Sequence, residues 1–88
     1  MSQRLALIEQ RLRERLGAER VEIADESAQH AGHAGAKSGG HFALTVVAVK
    51  FHGLNAVQRH RLVYDALDEL MRTEIHALAI RALTPDEN

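Results

Sequence analysis

Cysteine is absent from this chain of 88 residues. A disulfide, a thiolate nucleophile and a metal site built only from cysteine are therefore excluded. Aromatic residues make up 3% of the chain, with no tryptophan and one tyrosine, which leaves little material for a platform that stacks on bases. The net charge is only −1, and this near balance argues against strong, non-specific binding to polyanions.

Long hydrophobic runs are also lacking. No apolar stretch is long enough to span a bilayer, and no charged-then-apolar leader opens the chain, so we expect a cytoplasmic protein with no membrane association. The hydrophobic fraction of 45% and the charged fraction of 26% are ordinary for a globular protein. The length suffices for one domain, which we predict over residues 1–88. Six histidines are the unusual component.

The beginning of the chain predicts a helix and then a short strand. The helix starts after Ser2, a plausible N-cap, and ends at Gly17, where a left-handed C-terminal residue is favoured. Its apolar stripe recurs every three or four residues: Leu5, Ile8, Leu12 and Leu16. Val21 and Ile23 alternate with polar neighbours, which predicts a half-buried strand running to about Asp25.

Residues 27–40 predict a long flexible loop. The segment has four glycines and no large apolar side chain, and it contains His30 and His33. Loops of this length within a compact domain are commonly functional. Residues 41–49 then alternate with apolar side chains on both faces, which is typical of a central strand. A turn at residues 50–53 follows.

The second half of the chain predicts one helix and a last strand. The helix begins at Asn55, which with Gln58 has the spacing of a capping box, and it runs to about Arg72. Its stripe includes His60, which we expect to pack on the sheet. Residues 75–83 predict a strand whose small residues, Ala77 and Ala79, would let the long helix approach closely; residues 84–88 predict a flexible tail.

These elements predict an α+β domain with the order α-β-β-α-β. The first two strands would pair as an antiparallel hairpin, whereas a strand–helix–strand unit implies a right-handed crossover and a parallel pair. We therefore expect a three-stranded mixed sheet with the helices on one face.

Three segments carry a resemblance to a known family: DESAQHAGHAGAKSGGHF, VVAVKFHGLNAVQRHRLVY and IHALAIRALTP. In this order and spacing they resemble the BolA family, over nearly the whole chain. The resemblance implies a KH-like fold of the class with a mixed sheet (class II), in agreement with the predicted order. It also implies two activities: partnership with a monothiol glutaredoxin, including a shared [2Fe-2S] cluster, and transcriptional regulation through DNA.

The resemblance implies a ligand set for that cluster. His76, at the start of the last strand, matches one ligand, and His30 matches the loop ligand, with His33 as a neighbour that could substitute. The glutaredoxin would supply its cysteine and glutathione a second thiolate. A chain without thiolates can hold only part of such a cluster, so we expect no cofactor in the isolated chain and a role in iron–sulfur cluster trafficking or iron sensing.

Simpler interpretations apply to each histidine. His76 could be a hydrogen-bonded residue at a strand end, His30 could be a solvated loop residue, and His33 and His41 are expected to be supporting. His30 and His33 could also be half of a zinc site, but the sequence offers no second half. His52 is expected to be exposed.

DNA binding is the alternative function, acting through a basic region at residues 50–61. This region holds Lys50, Arg59 and Arg61 and no acidic residue, and it includes a helix N-terminus, where phosphate can bind. The G-x-x-G clamp of KH domains is missing from the turn before the second helix. Catalysis is not expected, because no nucleophile or pair of acids suited to hydrolysis is present.

Overall fold

Three strands form one mixed sheet in a computed structural model that describes residues 3–26 and 40–88. The elements follow in the order α1 (Gln3–Leu16), β1 (Arg20–Asp25), β2 (Gly40–Val47), α2 (Ala56–Ala66), α3 (Asp68–Thr73) and β3 (Ile75–Leu83). Short 3₁₀ turns lie at Val49–Phe51 and Pro85–Glu87. The predicted α+β class and strand arrangement are confirmed. No helix within the two described ranges has the length and hydrophobicity needed to cross a membrane.

The strand order β1-β2-β3 places β2 in the centre, as its two apolar faces predict. β1 pairs with β2 antiparallel, with Val21 opposite Val46. β2 pairs with β3 in parallel, with Leu44 opposite Ile80. The parallel pair requires the crossover that α2 and α3 provide, since two parallel strands cannot be joined by a tight turn.

The core lies between the helices and one face of the sheet. α1 contributes Ile8, Leu12 and Leu16, which are all buried, as its stripe predicts. The sheet contributes alternate residues of β2, because successive side chains point to opposite faces of a strand; the buried set on that face is Phe42, Leu44 and Val46. The other face of the sheet, which we call the open face, has no described helix packed against it.

The long helix predicted from Asn55 to Arg72 is in fact two helices. Leu67 separates them with φ −103° and ψ 13°, which is outside the helical range. Its N–H donates to the carbonyl oxygens of Val63 at 3.1 Å and Tyr64 at 3.2 Å, as in a tightened last turn. Leu67 and Leu70 are both buried in the core with Val63, as the spacing of these apolar residues along one helical face predicts, although the helix is interrupted at Leu67.

The expectation that the alanines of β3 face the helices was wrong. Leu78 and Ile80 stand beside Phe42 and Leu44 in the register and pack against the core. Ala79 is exposed on the open face. The larger side chains of β3 face the helices because burying them removes more apolar surface from water.

Candidate functional site

His76 is exposed at the beginning of β3 because the sheet is irregular there. Gly40 pairs with Ile75 and His41 pairs with Ala77, so β3 has one extra residue between these pairs, His76 itself. An extra residue of this kind redirects a side chain. Ile75 is buried in the core, and His76 is turned outward to solvent.

His41 is the nearest aromatic neighbour of His76 that the structure shows. The two ring centroids lie 5.0 Å apart, with 51° between the ring planes. His41 is half-buried, and its Nε2 atom is shielded from solvent. From the sequence alone, His41 was expected to have only a supporting role. The sequence does contain a signal for this contact. His41 begins the alternating apolar segment that predicts the central strand, and a parallel pairing of that strand with the last one brings its start beside His76.

His30 and His33 lie outside the described residues. The residues on either side of that segment are described, and both lie at the His76 end of the sheet. Glu26 donates its N–H to the carbonyl oxygen of His41 at 2.7 Å, and Gly40 donates its N–H to the carbonyl oxygen of Glu74 at 3.0 Å. The described residues that flank this segment, Glu26 and Gly40, therefore lie at the same end of the sheet as His76.

The histidines at this end of the sheet are donors that suit iron, although they do not make a complete ligand set. Imidazole nitrogens are good ligands for iron, and two of them replace two thiolates on one iron of a Rieske [2Fe-2S] centre. Among residues 3–26 and 40–88, no three His, Cys, Asp or Glu side chains come together as a metal site. A cluster at His76 would therefore need ligands from beyond these residues.

Arg59, a candidate for binding DNA, is engaged within the protein. Its Nε donates to the carbonyl oxygen of Leu54 at 2.9 Å, and its Nη1 donates to the carbonyl oxygen of Ala82 at 3.0 Å and to Glu87 Oε1 at 2.6 Å. Only 14% of the side chain is exposed, and its guanidinium lies 6.0 Å from the ring centroid of Phe51. Arg59 has little donor capacity left for phosphate.

Hydrogen bonds also hold residues 84–87, which belong to the segment predicted from the sequence to be a flexible tail. Thr84 is buried, and Pro85–Glu87 form a 3₁₀ turn. The hydrogen bond from Arg59, followed by one from the backbone of Thr84, lowers the pKa of Glu87 to about 2. His52 Nε2 lies 2.9 Å from Asp86 Oδ1, and this hydrogen bond lowers the pKa of Asp86.

The other basic candidates have different surroundings. Lys50 is exposed, and its Nζ donates to the carbonyl oxygen of Arg15 at 3.2 Å, at the end of α1. Arg61 is exposed on the outer face of α2, where it lines a shallow surface cavity of about 300 Å³ with Val57, His60 and Tyr64. His60 is half-buried and lines this surface cavity.

Comparison with known proteins identifies relatives over most of the chain. The family model "BolA-like protein" matches residues 12–87. The chain is 44% identical over 80 residues to "BolA-like protein 1" of Mus musculus, covering 91% of this chain and 57% of that protein. It is 35% identical over 81 residues to "DNA-binding transcriptional regulator BolA" of Haemophilus influenzae, covering 92% of this chain and 77% of that protein.

Solved structures of BolA domains share this fold. The BolA domain of SufE1 from Arabidopsis thaliana superposes with a TM-score of 0.87 at 40% identity, covering 100% of this chain and 99% of that one. The chain spans little more than half the length of the mammalian relative it matches, at 57%.

Proposed function

This chain is a member of the BolA-like family, and from that premise we propose that it is an adaptor that binds a monothiol glutaredoxin. In this proposal it completes a glutathione-linked [2Fe-2S] cluster, with His76 and His30 as its two ligands. The observation that carries the proposal is the position of His76, which is exposed beside the ring of His41 at the end of the sheet where Glu26 and Gly40, the residues that flank the long loop, also lie.

The number of ligands that this chain can supply supports a cluster shared with other molecules rather than one bound by this chain alone. A [2Fe-2S] cluster takes four ligands, commonly thiolates, and this sequence has no cysteine. Two imidazoles from this chain leave two positions, which the glutaredoxin cysteine and the glutathione thiolate would fill. Imidazole ligands raise the reduction potential of such a cluster relative to thiolates, which suits a cluster used for iron sensing or passed to an acceptor.

His41 has a positioning role in this proposal. Its Nε2 is shielded from solvent, while its ring lies against that of His76. In this proposal the contact restricts the orientations that the exposed His76 ring adopts before a partner binds. A ligand held in its binding geometry loses less freedom when the metal binds.

Reconstitution tests the proposal. The chain is mixed with a monothiol glutaredoxin, glutathione, iron and sulfide, and visible absorption and circular dichroism are recorded. His76→Ala and His30→Ala are expected to lose the spectrum of the mixed cluster. His52→Ala, which removes a surface histidine paired with Asp86, is the matched control and should leave it unchanged. If His76→Ala and His30→Ala both give the wild-type spectrum, the ligand assignment is refuted.

DNA-binding regulation is a second candidate, favoured by similarity to the relative from Haemophilus influenzae, which is named a DNA-binding transcriptional regulator. Lys50 and Arg61 would carry it, because both are exposed, whereas Arg59 would act by holding the fold. Gel retardation at physiological salt should show a sequence preference, with binding weakened in Lys50→Ala and Arg61→Ala. Binding that has no sequence preference and vanishes at moderate salt would remove this candidate.

A further inference from the structure

The two edges of the sheet differ in how they are protected from pairing with another strand. Exposed edge strands commonly carry charged residues that discourage such pairing. β1 follows this rule, since three of its six residues are charged, with Arg20 and Glu22 joined in an ion pair and Asp25 at its end. β3 is longer, with nine residues, and Arg81 is its only Lys, Arg, Asp or Glu residue.

The backbone of β3 presents hydrogen-bonding groups on its outer side. Ala48 donates its N–H to the carbonyl oxygen of Leu83 at 3.0 Å, so this carbonyl points toward β2. The neighbouring carbonyl of Ala82 points the other way, where Arg59 binds it. By the same alternation, Leu78 and Ile80 direct their N–H and C=O groups outward. No strand in the described part of the chain pairs with them.

We propose that this edge pairs antiparallel with β3 of a second copy of the chain, forming a continuous six-stranded sheet. A two-fold interface requires a surface that is complementary to itself. With the axis at Ala79, Leu78 of one copy stands opposite Ile80 of the other, and Ala77 stands opposite Arg81. Apolar residues meet apolar residues, and no like charges face each other.

Arg59 sets the limit of the paired segment. Its bond to the carbonyl of Ala82 occupies the outward acceptor at that end of β3, so the pairing extends over residues 77–81. A segment this short gives an interface below the size of stable complexes, which is about 1,200–2,000 Å². The dimer is therefore weak and reversible, forms at high protein concentration, and does not depend on the proposed cluster.

A pair of opposite charges at the axis tests the proposal. Sedimentation velocity of the full chain, at concentrations up to about 1 mM, should show a shift from monomer to dimer. Ala79→Lys and Ala79→Glu should each be monomeric, because like charges then face each other across the axis. Mixing the two variants should restore the dimer. Ala79 is exposed, and thermal unfolding verifies that each variant is folded.

Ala24→Lys is the matched control. Ala24 is exposed and lies in the same row of the open face, across β2 at Ala43 from Ala79, but on the β1 edge. This variant should dimerise as the wild type does. A wild type that stays monomeric up to the highest concentration overturns the proposal. So does an equal loss of dimer in Ala24→Lys and Ala79→Lys, since that would place the contact on the open face rather than on the β3 edge.

Discussion

Arg59 Nη1 lies 2.6 Å from Glu87 Oε1, although 28 positions separate these residues in the chain. The same nitrogen donates to the carbonyl oxygen of Ala82, so one guanidinium joins α2, the end of β3 and the 3₁₀ turn that follows. We call Arg59, Ala82 and Glu87, with the hydrogen bonds that join them, the Arg59 clip. It gives the most basic part of the sequence a structural role.

The Arg59 clip should make stability depend on acid pH. Glu87 has its pKa lowered from 4.5 to about 2, with the hydrogen bond from Arg59 as the largest cause. A lowered pKa in the folded state means that the stabilisation is fully present above about 4.5 and is lost as the pH falls toward about 2. Glu87→Gln should therefore melt below the wild type at pH 7, and the difference should shrink on acidification.

Glu19→Gln is the control for that measurement. Glu19 is exposed, and its carboxylate has no ion pair within the described residues. Its melting temperature should follow the wild type at every pH. A difference between Glu87→Gln and the wild type that stays constant from pH 7 to pH 2 would contradict the assignment to the Arg59 clip.

The start of α2 depends on a capping box. Asn55 Oδ1 accepts from the N–H of Gln58 at 2.9 Å, and Gln58 Oε1 accepts from the N–H of Asn55 at 2.9 Å. Asn55→Ala removes the first bond and should lower the free energy of unfolding by about 0.5–2 kcal/mol. Asn55→Asp keeps the acceptor and should lose much less. Urea unfolding measures both, and an equal loss in the two variants would mean that the cap is not responsible.

Leu12 is a sensitive point of a small core. Its side chain is fully buried among residues of the sheet and the helices. Leu12→Ala should lower the free energy of unfolding by about 2–5 kcal/mol through lost burial and the cavity left behind. Leu12→Met nearly conserves the volume and should lose less than about 1.5 kcal/mol. Denaturant titration gives the free energy of unfolding of each variant. An equal loss in Leu12→Ala and Leu12→Met would mean that the volume packed at this position is not what stabilises the fold.

Much of the fold was predictable because its elements have clear periodicities. The stripe of α1 and the alternation around Val21 and Ile23 are local patterns, and the order of elements then restricts the topology. The break at Leu67 and the extra residue at His76 leave no such local pattern. Leu67 and Leu70 are buried as their helical stripe predicts, so burial gives no sign of the break. The extra residue at His76 depends on the pairing of separate strands, whose register shifts between Gly40 and His41.

The candidate site was predictable only in part, for a related reason. The segment that begins at Ile75 points to His76 by resemblance; the structure shows that this residue is exposed, and its role as a ligand stays a prediction. The contact with His41 depends on strand pairing between residues that are distant in sequence. Likewise, Arg59 counted as one charge of a basic region, because composition does not indicate that Glu87 and Ala82 bind its guanidinium.

Substitutions at His41 should separate a positioning role from a ligand role. The ring centroids of His41 and His76 are 5.0 Å apart, so a ring at position 41 can support His76 even without nitrogen atoms. His41→Phe keeps an aromatic ring and should form the mixed cluster with glutaredoxin and glutathione in nearly wild-type yield. His41→Ala removes the support and should give a lower yield with an altered visible circular dichroism spectrum.

The matched variant is His76→Phe, which changes the other ring of the pair in the same way. It should form no mixed cluster, because a phenyl ring offers no nitrogen to iron. If His41→Phe also abolishes the cluster, the His41 nitrogen is required and His41 is a ligand itself. If His41→Ala matches the wild type in both yield and spectrum, the contact between the two rings has no role in binding. Thermal unfolding of each variant accompanies the spectra, since His41 is half-buried and a loss of cluster is interpreted only for folded protein.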